Sequence, residues 1–223
     1  MASTGSRAPT GSTGTTRFSG FPPEAFAFYE GLAADNSKEF WAAHKETYET
    51  AVREPMLALA AELEAEFGPA KIFRPYRDVR FSHDKSPYKT QQGAHTSQGF
   101  YVAVDADGLL VAAGLHSPTG EQLTRYRAAV DADAPGKELE AVLAKLVKGG
   151  FELAGERLKT RPRGVAADHP RLDLLRYRSL YAHRGWPPDP WVGSREALKR
   201  VRTSWRALRP FTEWCRTHAG AGE

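Results

Sequence analysis

The chain has 223 residues, 41% of them apolar, 26% charged and 11% aromatic, which is the profile of a globular protein long enough to bury a core. No apolar run approaches the roughly 18 residues that a spanning helix needs, and the opening stretch MASTGSRAPTGSTGTT lacks the apolar core of a secretory signal, so neither a membrane partner nor secretion is expected. A single cysteine, Cys215, excludes an internal disulfide and a cysteine-based zinc cluster and suits a reducing, cytoplasmic location, while 21 arginines among 31 cations and a net charge of +4 fit contact with phosphates as well as they fit an arginine-rich codon bias.

Residues 1–16 are Ser, Thr, Gly, Ala and Pro with little else, a composition expected to form a disordered tail. Pro22 and Pro23 stand where a helix can begin, and Phe26, Phe28, Tyr29 and Leu32 give it a buried side before the Asp35-Asn36 turn. Asn36 with Glu39 has the form of a capping box, so a second helix is expected from there, with Phe40, Trp41, His44, Tyr48 and Val52 at helical spacing. Pro55 should end or kink it and open a further helix through Met56, Leu59, Leu63 and Phe67, closed by Gly68-Pro69.

From Phe100 the period changes to that of strands. FYVAV and LLVAAGL flank the turn DADG, the clearest hairpin signal in the chain. Ser117-Pro118 precede a helix over 121–130, and another follows Gly136 with the stripe Leu139, Val142, Leu143 and Leu146, ending at Gly149-Gly150. Strands are expected near 151–159. The segment RLDLLRYRSLYAHRGW reads as a short helix leading into an extended run, and 194–215 as a terminal helical pair broken at Pro210. Helices thus gather at the two ends and strands in the middle. The expectation is an α+β fold, one domain over 17–218 with a central, mainly antiparallel sheet packed by N-terminal and C-terminal helices, and a short flexible end over 219–223.

The stretch with the most chemistry is KIFRPYRDVRFSHDKSPYKT, residues 71–90. Lys71, Arg74, Arg77, Arg80, Lys85 and Lys89 face only Asp78 and Asp84, so the segment alone carries a charge as large as that of the whole chain. In an extended run Asp78 and Arg80 share one face and Arg77, Val79 and Phe81 the other. Arginines held by a carboxylate can grip an oxyanion bidentately, and the Ser86-Pro87-Tyr88 turn can add a hydroxyl and a point charge beside them. The alternative is structural: an ion-pair ladder along a sheet edge.

The string RPYRDVRFSHDKSPYKT resembles the signature of the bacterial domain of unknown function 2461 family, in which an arginine, an Arg-Asp pair, an Arg-Phe pair and a later Asp-Lys and Tyr recur in that order. The positions here are Arg74, Arg77, Asp78, Arg80, Phe81, Asp84, Lys85, Tyr88 and Lys89. Asn36 to Trp41, Gly99 to Gly114 and Leu158 to Leu175 also resemble that family, with Ser37 standing where many relatives carry a second asparagine. The family carries no assigned activity. What the resemblance implies is that a segment defined by so many charged residues is more simply a site than a ladder.

Other chemistries find little footing. His83, His95 and His116 lack the spacing of a metal-binding helix, no Gly-x-Ser-x-Gly elbow or phosphate-cradling glycine loop occurs, and Asp78 and Asp84 sit among cations that should keep them ionised. No cofactor and no metal are expected. A second cationic stretch, Arg195, Lys199, Arg200, Arg202, Arg206 and Arg209, interleaves Trp205 and Trp214; it reads either as a solvated helix face over a Trp-anchored core or as a nucleic-acid surface. The expected function is binding, with or without catalysis, of a phosphate- or carboxylate-bearing small molecule by Arg74, Arg77, Arg80, Lys85, Tyr88 and Lys89, with Asp78 and Asp84 in support. The alternative is a nucleic-acid-associated protein using the same segment and the terminal arginines.

Overall fold

The computed structural model describes residues 17–80 and 83–220. The tail expected over 1–16 and the last three residues lie outside that range, as does Phe81. α1 (Pro23–Ala34) begins on a proline that has no N–H to leave unpaired, and it buries Phe26, Phe28, Tyr29 and Leu32. α2 (Lys38–Thr47) is capped by Ser37, whose hydroxyl accepts from the Phe40 amide at 3.0 Å. The expected cap, Asn36, is used elsewhere: its side chain accepts from the Tyr88 amide and donates to the Tyr88 carbonyl, a two-way pairing across 52 residues.

Pro55 neither ends nor sharply breaks the helix that precedes it. The chain widens into a π turn over Tyr48–Arg53, in which the Glu54 amide bonds the Glu49 carbonyl, and continues as α3 (Glu54–Phe67) with Pro55 in its first turn. One extra residue in the turn removes the clash that an α-helical path would impose on the proline ring. Gly68, at a φ of 78°, closes α3 in the left-handed region that side chains avoid.

The sheet follows in the order β1-β2-β3-β4-β6-β5, antiparallel throughout. Its strands are β1 (Ala70–Ile72), β2 (Gln91–Thr96), β3 (Phe100–Asp105) and β4 (Gly108–Leu115), then, after α4 (Gly120–Asp131) and α5 (Asp133–Lys148), β5 (Glu152–Ala154) and, after the single turn α6 (Leu172–Leu175), β6 (Leu180–Trp186). The expected FYVAV/LLVAAGL hairpin forms, with Asp105 opposite Gly108. The strand expected over 151–159 is shorter, three residues plus an isolated bridge between Arg157 and Tyr177.

The terminal helix α7 (Glu196–Ala219) runs through Pro210 without a break, against the expected pair. The proline forfeits one backbone bond and costs about 3 kcal/mol in a free helix. Here Val201, Trp205, Leu208, Phe211, Cys215 and Ala219 keep one helical stripe buried across it, and each large side chain contributes about 1.5–3 kcal/mol of burial. The Thr212 hydroxyl also takes up the Arg209 carbonyl.

α1, α3 and α7 all pack on the face of the sheet that carries Phe100, Val102, Val104 and Val111. At its centre Phe67, Phe100 and Trp205 meet with ring centroids 5.1–5.3 Å apart, and the Trp205 indole donates to the Tyr101 carbonyl. Among the described residues no helix is packed over the opposite face of β2, β3 and β4. No helix among the described residues is long and apolar enough to cross a membrane.

Candidate functional site: a cleft on the open sheet face

The charged segment between β1 and β2 leaves the sheet as a projecting hairpin. Tyr76 and Tyr88 bridge, the Arg77 amide bonds Pro87 and the Lys89 amide bonds Pro75. Its root is fixed by the Asn36 pairing and by the Tyr88 ring, which stacks on Trp41 at 4.3 Å and 8°. Tyr88 is 5% exposed, so it anchors the hairpin and does not offer its ring to a ligand.

Beyond that root the cations pair within the hairpin. Arg80 forks onto Asp78 through Nε and Nη2, Arg77 pairs with Asp84, and the Lys85 ammonium donates to the Val79 carbonyl. Asp84 also accepts from the Ser86 hydroxyl and amide, and these two contacts, with the Arg77 guanidinium third, hold its carboxyl far below the usual range. Hydrogen bonds from Arg80 lower Asp78 as well. Asp78 and Arg80 meet in a turn and not on a strand, the Arg80 amide also donating to Asp78 at 3.3 Å.

Two of the expected residues differ. Arg74 and Lys89 make no ion pair among the described residues, and Lys89 extends over the Phe73 ring, 4.9 Å from its centre. Partial burial, with the nearby Arg74 charge second, lowers the Lys89 pKa. Phe73 continues the β1 pairing, its amide donating to the Gly93 carbonyl, which turns its ring to the open face of the sheet.

That face holds a cleft of about 680 Å³. Its residues follow from register: His95 on β2 lies opposite Tyr101 on β3, Tyr101 opposite Ala112 on β4, and Ala112 opposite His183 on β6. In the flanking rows the same phase places Gln91 and Gly93 on β2, Leu110 and Gly114 on β4, and Tyr181 on β6. Small residues therefore floor the cleft, and aromatic and imidazole rings wall it.

Tyr101 leans away from the floor. A methyl group added at Gly93 would lie 2.8 Å from Cε2 and 2.9 Å from Cζ of Tyr101, so the ring rests directly on the Gly93 backbone, where the Gln91 amide reaches its hydroxyl at 3.1 Å. Burial, helped by the Asp105 charge, pushes the Tyr101 hydroxyl up to about 12, which keeps it a neutral donor. Phe73 stacks on His95 at 5.2 Å and stands 6.2 Å from Tyr101, joining the hairpin root to the cleft wall. On the far side Tyr181 lies 5.3 Å from His116 and 5.9 Å from His183.

Of the histidines singled out in the sequence, His95 and His116 line this one cleft, whereas His83 is exposed in the outer hairpin. Among the described residues no group of three His, Cys, Asp or Glu side chains is arranged to hold a metal. The sequence reading passed over Phe73, Gln91, Tyr101, Tyr181 and His183. Their signal is the strand phase itself: Gln-x-Gly-x-His, Tyr-x-Ala and Tyr-x-His-x-Gly alternate with the large apolar residues of the buried face.

The second cationic stretch has a structural task. Arg195 forks onto Glu62, which also accepts from the Phe18 amide, and Arg206 forks onto Glu66 with Arg209 beside it. These contacts bolt α7 to α3 and lower both carboxyl groups, the arginine hydrogen bonds being the largest cause. Trp205 and Trp214 are buried and bond the carbonyls of Tyr101 and Pro135.

No curated protein and no solved structure shows a significant match to the chain. The description "conserved hypothetical protein (DUF2461)" belongs to a family model that matches residues 24–214, from the start of α1 almost to the end of α7, so the match takes in the hairpin, the cleft and the helices behind them. The chain belongs to the DUF2461 family.

Proposed function

We propose that this protein binds a small organic anion, a phosphate- or carboxylate-bearing molecule with a flat ring, in the cleft on the open face of its sheet. The observation that carries this reading is the position of Lys89. It is a cation without an ion pair among the described residues, laid on Phe73, whose ring lines the cleft, with Arg74 nearby. A bound anion would relieve the mutual repulsion of these two groups and strengthen with the partial desolvation of the lysine. Phe73, His95 and Tyr101 offer ring faces and edges, and Ala112 and Gly114 leave room for a flat group over β4.

The ligand set expected from the sequence is thereby narrowed. Arg74 and Lys89 stay as direct contacts; Arg77, Asp78, Arg80, Asp84 and Lys85 shape the hairpin that presents them, and Tyr88 fastens it. The nucleic-acid alternative gains less support, since Arg195, Arg202, Arg206 and Arg209 are engaged with Glu62 and Glu66 and the α7 tryptophans are buried.

A thermal-shift series tests the proposal with phenyl phosphate, benzoate, inorganic phosphate and short oligonucleotides at low and moderate salt. A ligand at about 100 times its Kd adds about 2.7 kcal/mol and raises the melting temperature by several degrees. The expected result is a shift with the ring-bearing anions that Lys89→Ala removes and Arg77→Ala retains. Stabilisation by oligonucleotides alone, abolished by salt, would replace this reading with the nucleic-acid one.

A further inference from the structure

The cleft has two electrically different ends. One registered row crosses the whole sheet: Lys71, His95, Tyr101, Ala112, His183 and Glu152. Cations gather at the β1 edge, where Lys71 joins Lys89 and Arg74. At the β5 edge the row ends in a carboxylate, with the Glu152 Oε2 atom 4.0 Å from Nε2 of His183. His183 stands between Glu152 and the open space above Ala112, so the acidic end communicates with the cleft through an imidazole that lines it. The Tyr181 ring lies beside it, 5.9 Å from that of His183.

From this polarity we infer that the ligand is dipolar, carrying an amino or hydroxyl donor at the end opposite its anionic group, which His183 and Glu152 receive. The inference rests on the reading of the cleft as an anion site. Its length scale follows from the sheet: Lys71 and His183 are four strand spacings apart, about 19 Å, so the two ligand groups are separated by roughly 10 Å once the long cationic side chains and the imidazole reach inward. A simple monoanion such as phosphate fills one end only. A ring or chain with a carboxylate at one terminus and an ammonium at the other fills both, with its middle over the small residues of β4.

Calorimetric titration of the full chain with a matched pair, 4-(4-aminobutyl)benzoate and 4-butylbenzoate, tests this. The two probes share the anion and the ring and differ in the distal ammonium. In the wild type the amino probe is expected to bind about tenfold more tightly, as one partly solvated charge-assisted contact would give. Glu152→Gln, a change on an exposed edge-strand side chain, should bring the ratio close to one while leaving 4-butylbenzoate binding unchanged. Equal binding of both probes to the wild type, or an advantage that survives Glu152→Gln, overturns the dipolar ligand but leaves the anion site standing. If neither carboxylate binds, the anion site fails, and the dipolar ligand fails with it.

Discussion

Replacing Gly93 by Ala tests the geometry that keeps the cleft open. In a strand the substitution by itself should help, by about 0.4–1 kcal/mol, because alanine has less freedom to lose from the unfolded chain. At Gly93, however, the new methyl would meet the Tyr101 ring at 2.8 and 2.9 Å, well inside van der Waals contact. The β2 and β3 backbones are fixed by their ladder, so it is the ring that must move. It swings off Gly93 toward the floor over Ala112, gives up the Gln91 hydrogen bond and its place near Phe73, and fills the cleft. Overpacking of this kind costs about 1–3 kcal/mol and outweighs the backbone gain, for a net loss of about 1–2 kcal/mol. Urea unfolding of wild type, Gly93→Ala, Tyr101→Ala and the double variant measures it. With the ring removed the same methyl should be neutral or stabilising, so the cycle should show a coupling of about 1.5–2.5 kcal/mol between the two sites. A cost for Gly93→Ala that is the same in both backgrounds would refute the placement of the ring. Ligand binding should be lost in Gly93→Ala and regained, more weakly, in the double variant.

Three other outcomes follow from the packing. Glu62 and Glu66 have folded-state pKa values below their ordinary 4.5, so the stability they lend is complete above that value and is lost as pH falls through the lower folded values. Glu62→Gln should therefore be less stable than wild type at pH 7, with the difference shrinking in denaturant titrations as the pH is lowered below the ordinary carboxylate value; a difference independent of pH would count against the ion pair. Asn36→Ala removes both side-chain bonds to Tyr88 and should cost about 1–2 kcal/mol, with the Arg77 and Lys89 amides exchanging about 5- to 30-fold faster than in wild type while sheet amides keep their protection. Pro210→Ala restores a backbone donor inside an unbroken helix and should raise the melting temperature by several degrees, a net gain of about 1–2 kcal/mol after the larger freedom of the unfolded chain is counted; a lower melting temperature would show that the proline ring itself packs favourably.

Much of the fold was legible because its signals are local. The Asp-Gly hairpin, the proline starts of α1 and α3 and the glycine after α3 each act through backbone geometry within a few residues. The misses share another cause. Pro210 was read by its local cost, whereas a stripe of six buried side chains spanning five turns decides the outcome. Asn36 looks like a cap because the residue type suits one, but Tyr88, 52 positions away, claims its side chain. At the candidate site the charged motif was conspicuous, but Asp78 and Arg80 meet through a local turn and not through the strand alternation expected of an extended run. What alternation within one segment could not reveal is the row made by four strands in register. His95, Tyr101, Ala112 and His183 become neighbours only through pairing, and Lys89 acquires its meaning from Phe73 beneath it.

The measurement that bears most directly on the anion-binding cleft is amide chemical-shift mapping of the ¹⁵N-labelled chain during titration with phenyl phosphate. The account predicts saturable shifts at Phe73, Lys89, His95, Tyr101 and Ala112, absent in Lys89→Ala and preserved in Arg77→Ala. Shifts confined to the outer hairpin around Arg77 and Arg80, or none at any concentration that leaves the protein folded, would contradict it.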